Sequence, residues 1–313
     1  SALAVSGNDG DTNIAIGLAA LGTGDVAGAG NIGIGASALT ALTSGTNNIG
    51  VGLTSGDALT TGTDNVAIGR LALSASPDGA DNIAIGRSAL AATDGVADCN
   101  IAIGLSALGG ADVSGLANIA VGALSADALT TGICNVAIGV NALGAGTTGC
   151  QNVAIGELAI GTGATTGVGN VGIGTSALSA LTGGTNNIAM GLTSADALLT
   201  GTDNVAIGRL AFSASTDGAD NIAIGRSALA VSGNDGDGNI AIGLAALGTG
   251  DVSGINNIGI GASAAAAITT GICNVAIGKN ALAVSTTGCF NIALGELAMG
   301  AADTTGTNNI AIG

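Results

Sequence analysis

The clearest pattern along the chain is a pentapeptide of alternating residue types, first seen at residues 13–17 as Asn-Ile-Ala-Ile-Gly. Each copy has Asn, then Ile or Val, then Ala or Gly, then an apolar residue, then Gly. It occurs 18 times, at steps of 17 or 18 residues. Alternation over so few residues predicts a short β-strand, and a fixed period of this length predicts stacked repeats. The asparagines that open the repeats are Asn13, Asn31, Asn48, Asn65, Asn82, Asn100, Asn118, Asn135, Asn152, Asn170, Asn187, Asn204, Asn221, Asn239, Asn257, Asn274, Asn291 and Asn309.

The strand residues predict which face of each strand is buried. Ile14 and Ile16 lie two residues apart and so share one face, whereas Ala15 belongs to the other. We expect the β-branched pair to point into a core and the Ala or Gly to point outward. The Gly that follows, such as Gly17, ends the strand by allowing a sharp bend.

A second apolar position, most often Leu, usually falls eight residues after the Asn, as at Leu21 and Leu39. It predicts a weaker second strand that faces the Ile columns across a thin core. In the repeats that begin at Asn48, Asn118 and Asn187 the Leu moves further along. The remaining positions are Thr, Ser, Gly and Asp, which are typical of tight turns.

These patterns predict an all-β fold, a parallel β-solenoid of about 18 coils with 17–18 residues per coil, in one domain over residues 1–313. A helical fold is disfavoured because the chain contains 58 Gly. Disorder is disfavoured because apolar residues recur in register.

The Asn that opens each repeat never changes to Asp or Gly in 18 copies. A residue chosen only for turn conformation would vary among these types. An Asn side chain carries both a donor and an acceptor, so stacked copies can hydrogen-bond to one another. We therefore predict a structural asparagine ladder.

The sequence also repeats over a longer period of 139 residues, which equals eight coils. For example, the sequence of residues 64–72 occurs again at residues 203–211. The chain is thus a duplication. It begins and ends within a coil, without the capping segments that solenoids usually carry. We expect it to be a window of a longer fibre.

The net charge of −16, from 21 acidic and 5 basic residues, argues against nucleic-acid binding. No apolar run is long enough for a transmembrane helix, so we expect no membrane insertion. The chain has no His, its only Glu residues are Glu157 and Glu296, and aromatic residues make up 1%. We therefore expect no enzymatic activity.

Four of the five cysteines recur with the duplication. Cys134 and Cys150 are 16 residues apart, as are Cys273 and Cys289. Adjacent coils would bring each pair within disulfide reach, which predicts two disulfides and an oxidising setting. The alternative is that these residues are small buried thiols.

Aspartates cluster before consecutive repeats. They are Asp64, Asp81 and Asp98, with Asp203, Asp220 and Asp237 one duplication later. Residues 8–11 and 234–237 read Asn-Asp-Gly-Asp and weakly suggest calcium loops. Two hypotheses remain, bridging Ca²⁺ or solvated turn aspartates; no other cofactor is expected. Arg70, Arg87, Arg209 and Arg226 share one column, which is typical of a solvated face.

The repeat at residues 152–160, Asn-Val-Ala-Ile-Gly-Glu-Leu-Ala-Ile, with the Thr-Thr-Gly turn at 165–167, resembles the head repeats of trimeric autotransporter adhesins. It is also similar to the Asn-Thr-Ala-x-Gly repeats of bacterial surface proteins and phage tail fibres. The resemblance implies a left-handed parallel β-roll, often trimeric, in an extracellular adhesin or fibre.

The leading functional prediction is a structural extracellular fibre or adhesin shaft, on the cell surface or a virion, that self-associates into a fibre or homotrimer. One alternative is a phage tail fibre or adhesin head that binds a surface glycan. Another is an ice-binding solenoid, which would need a regular Thr column that this chain lacks.

Overall fold

The computed structural model describes residues 12–22, 26–92, 97–110, 112–231 and 236–313. Of the proposed calcium loops, residues 8–11, Asn234 and Asp235 lie outside the described residues. The chain divides into two compact units, Ser1–Ala154 and Ile155–Gly313. Within the described ranges there is no helix with the length and apolar character that a membrane crossing requires.

Each repeat contributes one strand of three residues, directly after its Asn. Unit 1 contains β1–β8 and unit 2 contains β10–β18, while β9 includes residues of both. The strands are β1 Ile14–Ile16, β2 Ile32–Ile34, β3 Ile49–Val51, β4 Val66–Ile68, β5 Ile83–Ile85, β6 Ile101–Ile103, β7 Ile119–Val121, β8 Val136–Ile138, β9 Val153–Ile155, β10 Val171–Ile173, β11 Ile188–Met190, β12 Val205–Ile207, β13 Ile222–Ile224, β14 Ile240–Ile242, β15 Ile258–Ile260, β16 Val275–Ile277, β17 Ile292–Leu294 and β18 Ile310–Ile312.

Strand pairing within each unit follows the repeat. Each strand pairs in parallel with the next one along the chain, and equal motif positions are partners. In unit 1, for example, Ala67 of β4 pairs with Ala84 of β5. In unit 2, Ala206 of β12 pairs with Ala223 of β13. Equal positions therefore stack into columns, and the predicted all-β parallel β-solenoid is confirmed.

The prediction of which strand face is buried is wrong. The central Ala or Gly of each strand points inward, and Ala84 and Ala102 are 0% exposed. The flanking Ile and Val residues point outward and are partly exposed, with Ile68 at 38% and Ile103 at 37%. Each strand thus buries its small central side chain and exposes the larger side chains on either side of it.

The inversion follows from the width of the core. A Cβ atom built on Gly50 would lie 2.7 Å from Cγ of Leu39, and one on Gly172 would lie 2.9 Å from Cγ1 of Ile160. The strand therefore packs directly against the Leu column, with room for a methyl group at most. Ile or Val in that position would force the wall of the coil outward. The Leu column itself is buried as predicted, at residues such as Leu73 and Leu90.

In the residues that the structure describes, the second predicted strand is absent. The segment that carries the buried Leu forms a turn, in which Leu71 and Leu73 have φ values of 60° and 50°. These left-handed residues turn the chain around the thin core, whereas a strand would extend past it. The coils still hydrogen-bond here, since the Leu73 N–H donates to the Ala89 carbonyl at 3.0 Å.

The Gly that ends each strand forms the sharp bend that the sequence predicts. Gly86 has a φ of 136°, and a Cβ atom there would lie 2.3 Å from the carbonyl oxygen of Gly104 in the next coil. Both the backbone conformation and the contact between coils thus require Gly at this position.

Candidate functional site

The asparagines that open the repeats form one buried column in each unit. From Asn31 to Asn291 these side chains are 0–1% exposed, although most of them directly follow an exposed residue. Asn13 is partly exposed and Asn309 is exposed. Sixteen polar side chains thus lie in the interior, where unpaired amide groups would strongly destabilise the fold.

Each Asn side chain bonds to two coils at once. The Asn65 Nδ2 donates to Asn48 Oδ1 at 3.0 Å and to the Gly79 carbonyl at 2.6 Å. The Asn65 main-chain N–H donates to the same Asn48 Oδ1 at 3.1 Å. Unit 2 repeats this geometry, where Asn204 bonds to Asn187 Oδ1 and to the Gly218 carbonyl.

This geometry explains why no other residue type occupies the column. The side chain must accept two hydrogen bonds at Oδ1 and donate two at Nδ2. Asp lacks the donor and would bury a charge, and Gly lacks both groups. The arrangement links consecutive coils to one another and ties the start of each strand to a turn 14 or 15 residues later.

The four cysteines of the predicted disulfides are free thiols in the structure, as is Cys99. Cys134 directly precedes its column Asn, whereas Cys150 lies two residues before the next one. Their spacing of 16 residues is shorter than the 17-residue step between Asn135 and Asn152, so they occupy different columns. Cys273 and Cys289 repeat this offset.

Four of the six clustered aspartates accept hydrogen bonds from the neighbouring coil. Asp64 Oδ1 accepts a hydrogen bond from Asn47 Nδ2 at 3.0 Å, and Asp98 Oδ1 accepts one from the Ala80 N–H at 2.8 Å. Asp237 Oδ1 accepts one from the Ala219 N–H at 2.8 Å. In the part of the chain that the structure describes, no three or more His, Cys, Asp or Glu residues are grouped as metal ligands would be. The role that the structure shows for these aspartates is to accept hydrogen bonds from N–H groups of the neighbouring coil.

Three other aspartates are unusual, and the sequence analysis missed them. Asp57, Asp127 and Asp196 lie in the repeats where the Leu is displaced, and the Oδ1 atom of each is buried without a hydrogen-bond partner. Burial raises the pKa of all three carboxyls above the ordinary value of 3.8, and a nearby backbone N–H partly opposes this rise. The signal in the sequence was the recurring Asp-Ala-Leu that marks these three repeats.

The first and third residues of the strands form an apolar surface on each unit, which we call the Ile/Val face. Its members include Ile103 and Ile138 in unit 1 and Ile188, Met190 and Ile277 in unit 2, all 37–40% exposed. Sequence reasoning missed this face because it placed the same residues inside. The signal that indicates it is the strict limit of the central strand position to Ala or Gly.

Charged columns flank the Ile/Val face on both sides. The residue after the bend Gly is basic at Arg70, Arg87, Arg209, Arg226 and Lys279, which are all the basic residues of the chain. On the other side, the residue before the column Asn is Asp in the same four repeats that carry Arg, at Asp64, Asp81, Asp203 and Asp220. These eight side chains are all exposed. Among the described residues the single ion pair joins Lys279 to Glu296 at 3.3 Å, so the four arginines have none.

Comparison with known proteins adds no assignment. The chain matches no protein-family model and no curated protein sequence.

The asparagine column can be tested with two adjacent residues. Asn257→Asp removes a buried donor that bonds Asn239 Oδ1 and the Gly271 carbonyl, and it buries a carboxylate. We expect it to lower the free energy of unfolding by about 3 kcal/mol or more in urea titrations. Asn256→Asp, at the exposed neighbouring position, is the control and should change it by less than about 1 kcal/mol. Equal effects of the two substitutions would contradict the structural role of the column.

The buried carboxyls predict a pH dependence of stability. The raised pKa of Asp196 means that the folded chain binds its proton more tightly than the unfolded chain does. Its stabilising contribution is therefore complete below pH 3.8 and is lost as the pH rises through the folded pKa. Asp196→Asn should thus stabilise the protein at pH 7, by less than about 1 kcal/mol because solvent still screens the group. The gain in stability should disappear near pH 3.5. The exposed control Asp251→Asn should show no such dependence on pH. A gain for Asp196→Asn that is the same at both pH values would contradict burial of the carboxyl as its cause.

Proposed function

We propose that the protein is a structural repeat protein, an extracellular fibre or the shaft of a surface adhesin. The observation that carries the proposal is the buried asparagine column, which continues from coil to coil within each unit. Such a column stabilises stacking along one direction and presents no reactive group to solvent. Its role is mechanical.

The hydrogen bonding of the coils supports a mechanical role. Strand amides bond to the next coil, as at Val66 N–H to the Asn82 carbonyl at 2.8 Å, and the bend bonds to the preceding coil through Gly69 N–H to the Val51 carbonyl at 2.8 Å. The asparagine bonds add to these in every step. Separating two coils therefore requires several hydrogen bonds to break together, as in stacked cross-β structures.

The proposal includes no enzymatic activity and no metal cofactor. The chain has no His to act as a base, and the two Glu residues belong to the column beside the Ile/Val face. The extracellular location rests on the resemblance of the repeats to surface proteins. The free cysteines lend no support to an oxidising compartment.

Immunogold electron microscopy of the intact source cells or particles tests this function directly. Antibodies against the chain should label filaments or spikes outside the envelope. Labelling that is confined to the interior, or that shows dispersed globular particles, would overturn the proposal.

A further inference from the structure

We propose that the Ile/Val face binds a second copy of this chain, packed parallel and in register. The aspartates that precede the column Asn in one copy then lie opposite the arginines that follow the bend Gly in the other. The inference rests on the proposed structural function and deepens it, because it names the surface, the partner and the orientation. Three observations lead to it: the apolar area, its period and its charged borders.

The apolar area is large enough for a stable interface. In unit 1, β1–β8 each contribute two outward side chains to the face. If each of these side chains exposes about 50 Å², the face of unit 1 presents roughly 800 Å². This is the area that one partner buries in a standard interface. In other repeats the position after the bend Gly, which carries the arginines, is an exposed Leu, and it adds Leu53 and Leu105 in unit 1 and Leu192 and Leu244 in unit 2. Apolar patches larger than a few hundred Å² mark interaction sites on soluble proteins.

The period of the face favours a copy of the same chain as its partner. The outward residues repeat once per coil, at the spacing of neighbouring strands, which is about 4.8 Å. Each side chain can enter the gap between two side chains opposite only if the other surface has the same spacing. A second copy of this solenoid meets that condition over the whole length of a unit, as in the interdigitated sheets of steric zippers.

The charged borders select the orientation. In unit 1, Asp64 and Arg70 border the strand of one repeat on opposite sides, and Asp81 and Arg87 border the next. In unit 2, Asp203 with Arg209 and Asp220 with Arg226 repeat the arrangement. Each Asp lies six positions before its Arg, and the described part of the chain has no ion pair between them. The arginines are therefore available to a partner.

Two copies can face each other in two ways. Rotation about an axis parallel to the direction of stacking places the Asp side of one copy opposite the Arg side of the other at the same coil. Rotation about an axis along the strands places Asp opposite Asp and Arg opposite Arg. Like charges held together are strongly unfavourable at an interface, so the charges select the parallel arrangement.

A charge exchange tests this arrangement. One variant carries Arg70, Arg87, Arg209 and Arg226 changed to Glu, and a second carries Asp64, Asp81, Asp203 and Asp220 changed to Lys. Each variant alone places like charges along both borders, so its self-association in sedimentation experiments should weaken at least about tenfold. Mixing the two restores opposite charges on both borders and should restore association.

The control variant carries Asp78, Asp112, Asp217 and Asp251 changed to Lys, four exposed positions away from the borders and two in each unit. It has the same charge change as the second variant and should associate like the parent. Circular dichroism should show the parent's spectrum for each variant. Rescue by mixing demonstrates by itself that both charge variants still fold. Unchanged association of either charge variant, or a mixture that stays dissociated, would overturn the proposal.

A cross-link tests the orientation independently. Cys134 is an exposed thiol on the Asp side of the face, and Val140 lies on the Arg side of the same repeat and is 47% exposed. In a background with the other cysteines changed to Ser, Val140→Cys should allow a short bis-maleimide to join Cys134 of one copy to residue 140 of the other. The product is a dimer on a denaturing gel. The matched protein that keeps Val140 should give none, and dimers from both proteins or from neither would contradict parallel packing.

Failure of this proposal differs from failure of the proposed function. If filaments form outside the cells but the charge variants associate as strongly as the parent, the structural function holds and this interface is excluded. A parent chain that stays monomeric at all concentrations would exclude the interface as well. Absence of external filaments would instead exclude the structural function.

Discussion

The hydrogen bonds of the buried Asn amides are the interaction on which the rest of the structure depends. In most coils the Asn side chain accepts from the Asn that follows, donates to the Asn that precedes it and donates to a turn carbonyl, as at Asn65. Each coil therefore begins at the same place as its neighbours. Once that point is set, strands pair in register and every other position stacks on its equivalent. The bend Gly and the buried Leu occupy their columns for the same reason.

The parts of the fold that depend only on spacing could be predicted from the sequence. The period locates the strands, and the unchanged Asn and Gly locate the column and the bend. The buried face of the strand could not be predicted from alternation, which defines two faces without saying which is inside. That choice depends on the distance between strand and Leu column, which the left-handed turn residues such as Leu71 and Leu73 determine. The contact between Gly50 and Leu39 explains why the central strand position is always Ala or Gly, which is the signal in the sequence for the buried face.

Correcting the buried face changes the functional interpretation. If the Ile and Val residues were internal, each coil would complete its own core, and its surface would be Ala, Gly and turn residues. Instead the monomer uses Ala and Leu for its core and leaves its β-branched residues on an open surface. Every basic residue lies beside that surface, whereas the aspartates are distributed over several turns. A chain of net charge −16 has thus concentrated its positive charge next to its most apolar area. This combination is typical of a surface that is covered when the protein performs its role.

Hydrogen exchange of the Asn side-chain amides, measured by NMR on protein labelled with ¹⁵N only at asparagine, tests the central role of the column most directly. The account predicts slow exchange for the buried asparagines from Asn31 to Asn291, because each Nδ2 group bonds inside the solenoid. The exposed Asn47, Asn186 and Asn256 provide internal references with fast exchange. Exchange of the column amides as fast as that of these references would contradict the account.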